Sequence, residues 1–108
     1  MNYNEVVEVA SSFAEAEASP HFHKTSFRVR KKIFATIDDK KGTLVVKMDE
    51  INQSVFSDMG RENIHPVPGG WGLKGWTIIH YSQLESEVIV DAMTISYNLV
   101  APKSLQIH

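Results

Sequence analysis

The rhythm of hydrophobic and polar positions changes several times along the chain. Over residues 3–17, Val6, Val9, Ala10 and Phe13 recur at helical spacing, while Glu5, Glu8, Glu15 and Glu17 fall mostly elsewhere. That pattern predicts an amphipathic helix. Ser19-Pro20 should end it, because proline disfavours helical geometry in the residue before it. Ser26-Phe27-Arg28-Val29-Arg30 alternates strictly, with Phe27 and Val29 on one side and Arg28 and Arg30 on the other. This is the signature of a half-buried strand. Lys32-Ile33-Phe34-Ala35-Thr36-Ile37 is β-branched and aromatic and reads as a second strand. Asp38-Asp39-Lys40-Lys41-Gly42 is a polar turn closing on glycine, suited to a longer hairpin loop. A third strand follows over residues 43–48, with Leu44, Val46 and Met48 sharing a face.

Asp49 is placed to cap a short helix. Ile51, Val55 and Met59 would be its buried stripe, and Gly60 its end. Residues 62–68 read as a short extended segment, residues 69–75 as a glycine-rich loop, and Trp76 to Tyr81 as a strand. Ser82-Gln83-Leu84-Glu85 matches a capping box. A last helix should run to about Val100, with Val88, Ala92, Ile95 and Leu99 inward and Pro102 as its stop. The predicted order is α-β-β-β-α-β-β-α. Local hairpins favour antiparallel pairing, so the expected fold class is α+β: a two-layer domain with helices on one face of an antiparallel sheet. The other face would be free to meet a partner.

Composition narrows the function classes. The chain has 108 residues, which is one domain's worth, and a single domain over 1–108 is expected. It has no cysteine, which removes disulfides, thiolate zinc sites and cysteine nucleophiles. No apolar run approaches the ~20 residues of a membrane span, and the first residues lack the basic and hydrophobic regions of a signal peptide. A cytoplasmic location is therefore expected, with no membrane partner.

The formal net charge of −2 argues against a strongly electrostatic nucleic-acid binder, but the distribution is uneven. Residues 21–47 hold eight of the eleven basic residues and two acids, a local +6 that leaves −8 on the remainder. Such segregation predicts a basic face and an acidic face. Arg28 and Arg30, with Lys31 and Lys32 beside them, are candidates to follow a phosphate backbone. Lys40 and Lys41 at a hairpin tip could enter a groove, as β-ribbons do. Lys24 and Lys47 complete the set.

The glycine loop holds a literal G-x-G-x-x-G at Gly70, Gly72 and Gly75. A dinucleotide site needs this motif between a strand and a helix. Here a proline-containing segment precedes it and a strand follows, so the motif is rejected. A P-loop fails as well, because Lys74 precedes Gly75. Trp71, Lys74 and Trp76 remain notable. Indoles stack on bases and lysine meets phosphate. Trp76, entering a strand, is expected at the core edge, whereas Trp71 is the stacking candidate.

His21 and His23 could share a side of an extended segment, but zinc catalysis usually wants three protein ligands, and no third is identifiable. No serine lies in a G-x-S-x-G elbow. No metal, cofactor or catalytic residue is expected, and the chain reads as non-enzymatic.

The string from Pro20 through Ile37, P-H-F-H-K-T-S-F-R-V-R-K-K-I-F-A-T-I, resembles the signature of the MmcQ/YjbR family of small bacterial proteins. Leu44-Val45-Val46-Lys47-Met48, Gly75-Trp76-Thr77 and Ser96-Tyr97-Asn98-Leu99-Val100 agree with it. The resemblance implies a compact fold similar in outline to frataxin-like and secretion-chaperone-like domains. It also implies DNA binding through a double wing of hairpins, with Arg28, Arg30, Lys32 and Lys47 at matching positions and no catalytic residues attached. The expectation is thus a monomeric module that binds DNA weakly and without sequence preference. The alternative is a protein- or peptide-binding adaptor using an exposed sheet face or edge.

Overall fold

The computed structural model describes residues 1–108. Helix α1 (Tyr3–Ser11) starts at Asn2, whose side chain accepts from the Glu5 N–H while the Glu5 carboxylate accepts from the Asn2 N–H. This capping box satisfies two otherwise free donors. The helix is shorter than the periodicity suggests. Beyond Phe13 the chain reverses through Glu15 at φ 61°, a left-handed conformation that no right-handed helix can contain.

Residues expected to continue the helix instead form strand β1 (Glu17–His21). Pro20 is tolerated there because β1 is an edge strand and one of its sides needs no donors. Then come β2 (Lys24–Val29), β3 (Lys32–Asp38), β4 (Thr43–Lys47), α2 (Glu50–Gly60), β5 (Ile64–Pro66), the single turn α3 (Gly70–Leu73), β6 (Trp76–His80) and α4 (Ser86–Val100). Six strands form one sheet in the order β1-β2-β3-β4-β6-β5, with every neighbouring pair antiparallel. The α+β class with an antiparallel sheet is as expected. The strand count rises by one because Glu17 and Pro20 mask β1 in the sequence.

Helices α1 and α4 cover one face, over β2, β3 and β4. Phe27, Ile37, Leu44, Val46 and Ile79 of the sheet are fully enclosed beneath them. Phe13, Phe34 and Tyr97 meet as a ring cluster with centroids 4.8–5.5 Å apart. Pairing of β2 with β3 slips by one residue: Phe27 faces Ala35, and Arg28 faces Ile33. Phe34 is the extra residue of this bulge, and it turns into the core.

Four helix expectations are corrected by the packing. On α2, Ile51, Val55 and Met59 point to solvent while Phe56 and Gly60 turn inward. A Cβ on Gly60 would lie 2.3 Å from the Ile64 side chain, so it is the glycine face that approaches β5. Asp49 does occupy the cap position, but its carboxylate accepts from the Asn52 amide at 2.6 Å rather than from backbone. On α4 the buried positions are Ile89, Ala92, Met93, Ser96 and Tyr97, rotated about one residue from the apolar stripe. Ser82 and Glu85 form no capping box. Residues 81–83 make a separate 3-10 turn, and Glu85 stands at the helix cap without a side-chain bond.

Candidate nucleic-acid interface

The sheet face away from α1 and α4 is built in cross-strand rows, because antiparallel partners point the same way. One row runs Ser19, Ser26, Thr36, Val45, Ile78, His65. On one side of it lie Glu17, Arg28 and Ile33, then Lys47 opposite Trp76. On the other side lie His21, Lys24, Asp38, Thr43 and His80. The sequence-predicted cations are thus divided between the two ends of the strands, about 20 Å apart over the six steps of β3 at ~3.3 Å each.

At one end, the β1–β2 and β3–β4 hairpin tips stand side by side. The Asp39 N–H donates to the His23 carbonyl at 2.9 Å, and His23 Nε2 lies 3.7 Å from the Asp38 carboxylate. Gly42 closes the second tip at φ 67°. The Asp38 carboxylate accepts from the Lys41 N–H at 2.9 Å, leaving the Lys40 and Lys41 side chains outward. Lys24 is exposed on the neighbouring strand. Phe22, at the first tip, is 92% exposed and held at φ 56°, with His21 against its ring at 4.5 Å. Phe22 is a candidate contact that sequence reasoning missed, since a lone aromatic between two histidines gives no periodic signal.

At the other end, β2 ends at Val29, so Arg30 is not the strand residue that strict alternation suggested. Arg30 and Lys31 form a two-residue reversal at φ 49° and 71°, the geometry of a type I′ turn. The turn sends Arg30 away from Arg28. Its guanidinium donates to both oxygens of Glu15, at 2.6 and 3.0 Å. That bond holds the Glu15 carboxyl below the usual carboxylate range and raises Arg30 in turn. Arg30 is therefore an internally neutralised cation, whereas Lys31 and Lys32 are exposed. Arg28 is half-buried on the open face with Glu17 as its direct cross-strand neighbour.

Beside Lys47 and Trp76 the open face carries an apolar patch. Ile33, Val45 and Ile78 floor a hollow of ≈ 360 Å³, walled by Val67, Trp71 and Trp76, with Thr36 as its one polar lining residue. Trp71 is 62% exposed; Trp76 is half-buried and lines the same hollow. The Lys74 ammonium lies 5.3 Å from the Trp71 ring centre and the Lys47 ammonium 6.0 Å from that of Trp76, both within cation–π range. The runs Leu44-Val45-Val46 and Ile78-Ile79 carry the signal for this hollow. Consecutive apolar residues in a strand put apolar groups on both faces.

The glycine motif serves packing. A Cβ on Gly72 would meet the Val67 carbonyl at 2.1 Å, and one on Gly75 the Met48 carbonyl at 2.1 Å, whereas Gly70 faces open space. Gln53 of α2 donates to the Gly72 carbonyl at 3.0 Å and to Thr77 Oγ1 at 3.1 Å. Thr77 in turn donates to the Gly75 carbonyl at 2.9 Å. These contacts fix the turn that carries Trp71. His21 and His23 find no third ligand, and no group of three or more histidine, aspartate or glutamate side chains is gathered for a metal ion. No helix is long and apolar enough to cross a membrane.

Comparison with known proteins places this architecture. The family model described as YjbR matches residues 11–99. The chain belongs to the YjbR family. The YjbR fold recurs in the crystal structure of a Deinococcus radiodurans protein with the family-model domain DUF419, at a TM-score of 0.80 and 17% identity, covering 95% of this chain and 80% of that one. A Pseudomonas syringae protein of known structure aligns at a TM-score of 0.68 and 14% identity, over 92% of this YjbR chain and 98% of its own. At these identities the likeness is one of fold. A search of curated proteins finds no match.

Proposed function

We propose that this YjbR-family chain is a non-catalytic, monomeric, cytoplasmic DNA-binding module, with residues 1–108 acting as one domain. The observation that carries the reading is the side-by-side pair of hairpin tips, tied by the Asp39–His23 backbone bond. They present Lys24, Lys40 and Lys41 at one end of an open sheet. Arg28, Lys47, Lys31, Lys32 and Lys74 extend the cationic track toward the far end. The ~20 Å between the ends is the rise of about six nucleotides, at 3.4 Å per nucleotide along one strand. Contacts of this kind position a protein without reading sequence, so binding is weak and general. Arg30 contributes less than its neighbours because Glu15 already occupies it.

Fluorescence anisotropy with labelled DNA at two salt concentrations tests the reading. Each phosphate neutralised should add ~0.9 to the slope of log K against log salt for duplex. Lys40→Ala with Lys41→Ala should weaken binding and flatten that slope, more than Arg30→Ala does. Absence of binding at low salt, or binding untouched by Arg28→Ala with Arg30→Ala and by the Lys40/Lys41 pair, removes the proposal.

The apolar hollow favours a second reading, a peptide-binding adaptor that uses the open sheet face. A peptide held there would depend on Val45 and Ile78, and its affinity would vary little with salt. Changing the lysines would leave it almost unaltered.

A further inference from the structure

We infer that the hollow between Trp71 and Trp76 is a seat for one unpaired nucleobase, so that the module takes single-stranded or locally opened DNA in preference to intact duplex. The inference rests on the DNA-binding reading and specifies its substrate. Its volume, ≈ 360 Å³, falls at the low end of the about 300–1,000 Å³ typical of small-molecule sites. A base stacked inside a duplex cannot enter such a recess, because only its edges are exposed in the grooves. An extruded base can lie against an indole face, above the aliphatic floor of Ile33, Val45 and Ile78.

The lysines beside the two indoles favour a nucleotide as the occupant. The two indoles carry the Lys47 and Lys74 ammonium groups at 6.0 and 5.3 Å from their ring centres. A base seated on the rings would therefore have its phosphates beside a cation at each wall. Lys47 and Lys74 also line a neighbouring cleft together with Asp49 and Glu50, and neither carboxylate lines the hollow. Thr36 is the only polar lining residue, too little hydrogen-bonding capacity to tell one base from another. Recognition is by stacking, which tolerates every base. The Trp71 platform is also set in advance: Gln53 anchors the Gly72 carbonyl, and Gly72 and Gly75 sit against backbone carbonyls where a side chain would collide. Preorganised aromatic surface loses little on binding.

The test uses the full chain and three labelled probes of equal length in anisotropy titrations at low salt: single-stranded oligothymidylate, the same strand with abasic sites, and its duplex with oligoadenylate. Single strand should bind several-fold tighter than duplex. Abasic substitution should cost about ten-fold, the scale of one stacked base. Trp71→Ala should cost the same for single strand and much less for duplex, with Trp71→Phe restoring most of the single-strand loss. In a Trp76→Phe background, Trp71 fluorescence should be quenched by the thymidylate probe and not by the abasic one. Equal binding of the intact and abasic strands, or indifference to Trp71→Ala, overturns the base seat while leaving DNA binding in place. No binding of any probe overturns both. Salt-independent quenching of Trp71 by an apolar peptide, with no quenching by thymidylate, assigns the hollow to peptide and likewise overturns the inference.

Discussion

Ser96 in α4 donates its hydroxyl to the Phe34 carbonyl at 2.6 Å, 62 residues away in sequence. The same oxygen accepts from the Lys47 N–H at 2.9 Å. Phe34 is the extra residue of the β3 bulge, so its backbone is displaced from the ladder, and Lys47 ends β4. One side chain thus satisfies backbone groups of both strands, on the face whose opposite side forms the hollow. Ser96→Ala removes both bonds and leaves their partners without a replacement. A loss of about 2–4 kcal/mol is expected, read as a lower urea midpoint with an unchanged slope. A loss under about 0.5 kcal/mol, the scale of an ordinary surface substitution, contradicts this account.

Ser96 also shows where reading the sequence stops. Apolar periodicity located the last helix, the three central strands and the antiparallel sheet, because each buries residues at a fixed spacing. It left Ser96 off the inward stripe, although Ser96 is fully buried for the sake of a bulge that only tertiary pairing creates. The same limit explains β1, a fully exposed edge strand with no burial pattern to detect. At the interface, residue types were legible and their grouping was not. Arg28, Lys47, Lys74 and Trp71 do gather on the hollow side of the open face. Arg30 is drawn off by Glu15, and Lys24, Lys40 and Lys41 stand at the opposite end. A turn conformation and a chain reversal decide this, and neither has a signature in charge spacing.

The three glycines of the 70–75 segment should respond unequally to alanine. Gly75→Ala adds strain at φ 103° and a collision with the Met48 carbonyl; Gly72→Ala collides with the Val67 carbonyl. Both should destabilise by at least about 2 kcal/mol, the scale of overpacking with backbone strain. They should also shift Trp71 emission. Gly70→Ala meets nothing within 4 Å and should stay within about 0.5 kcal/mol of the parent. Thermal melts of the three variants decide it, and equal behaviour would show that packing does not explain the motif.

Lys31 holds φ 71° in a reversal that glycine adopts without strain. Left-handed geometry costs a side-chain-bearing residue about 1–2 kcal/mol, against a smaller entropic penalty for glycine in the unfolded chain. Lys31→Gly should therefore stabilise by about 0.5–1 kcal/mol, raising the melting temperature by several degrees for a chain of this size. Arg30→Gly relieves similar strain but discards the Glu15 ion pair, so its gain should be smaller. If Lys31→Gly instead lowers the melting temperature, the turn is not strained.

Stability should fall at alkaline pH through two tyrosines. Burial pushes the Tyr97 phenol up, with the nearby Glu15 carboxylate adding to it and Arg30 opposing. Burial likewise raises Tyr81, helped by Asp39, Tyr3 and Asp38. A raised value means the folded state keeps protons that the unfolded state releases. The contribution is therefore complete below the ordinary phenol value of about 10 and is lost as pH rises through the folded values. Tyr97→Phe should lower stability at neutral pH by losing the 2.7 Å bond to the Ala14 carbonyl, and it should flatten the alkaline decline. At the acid end the Glu15 carboxyl, lowered by the Arg30 hydrogen bond, contributes above its unfolded value and loses that contribution as pH falls through its folded one. Urea midpoints across pH for the parent, Tyr97→Phe and Glu15→Gln separate the two arms. An alkaline slope identical in Tyr97→Phe and the parent would remove Tyr97 from the account.

The inverted stripe of α2 yields a contrast between neighbours. Ile51 is 75% exposed, so Ile51→Lys removes no core contact and should change stability by less than about 0.5 kcal/mol. It should also raise solubility, since Ile51, Val55 and Met59 together present an apolar strip to water. Phe56 is the large side chain that α2 buries, and Phe56→Ala should cost about 3–5 kcal/mol in lost transfer energy and a new cavity. Gly60→Ala should belong with Phe56, because its Cβ would enter the space of the Ile64 side chain. That would push α2 off β5 and loosen the Gln53 tie to Gly72 and Thr77. Urea midpoints for the three variants, read beside Trp71 emission, would distinguish this orientation from the one periodicity suggested. If Ile51→Lys costs more than Phe56→Ala, α2 faces the other way.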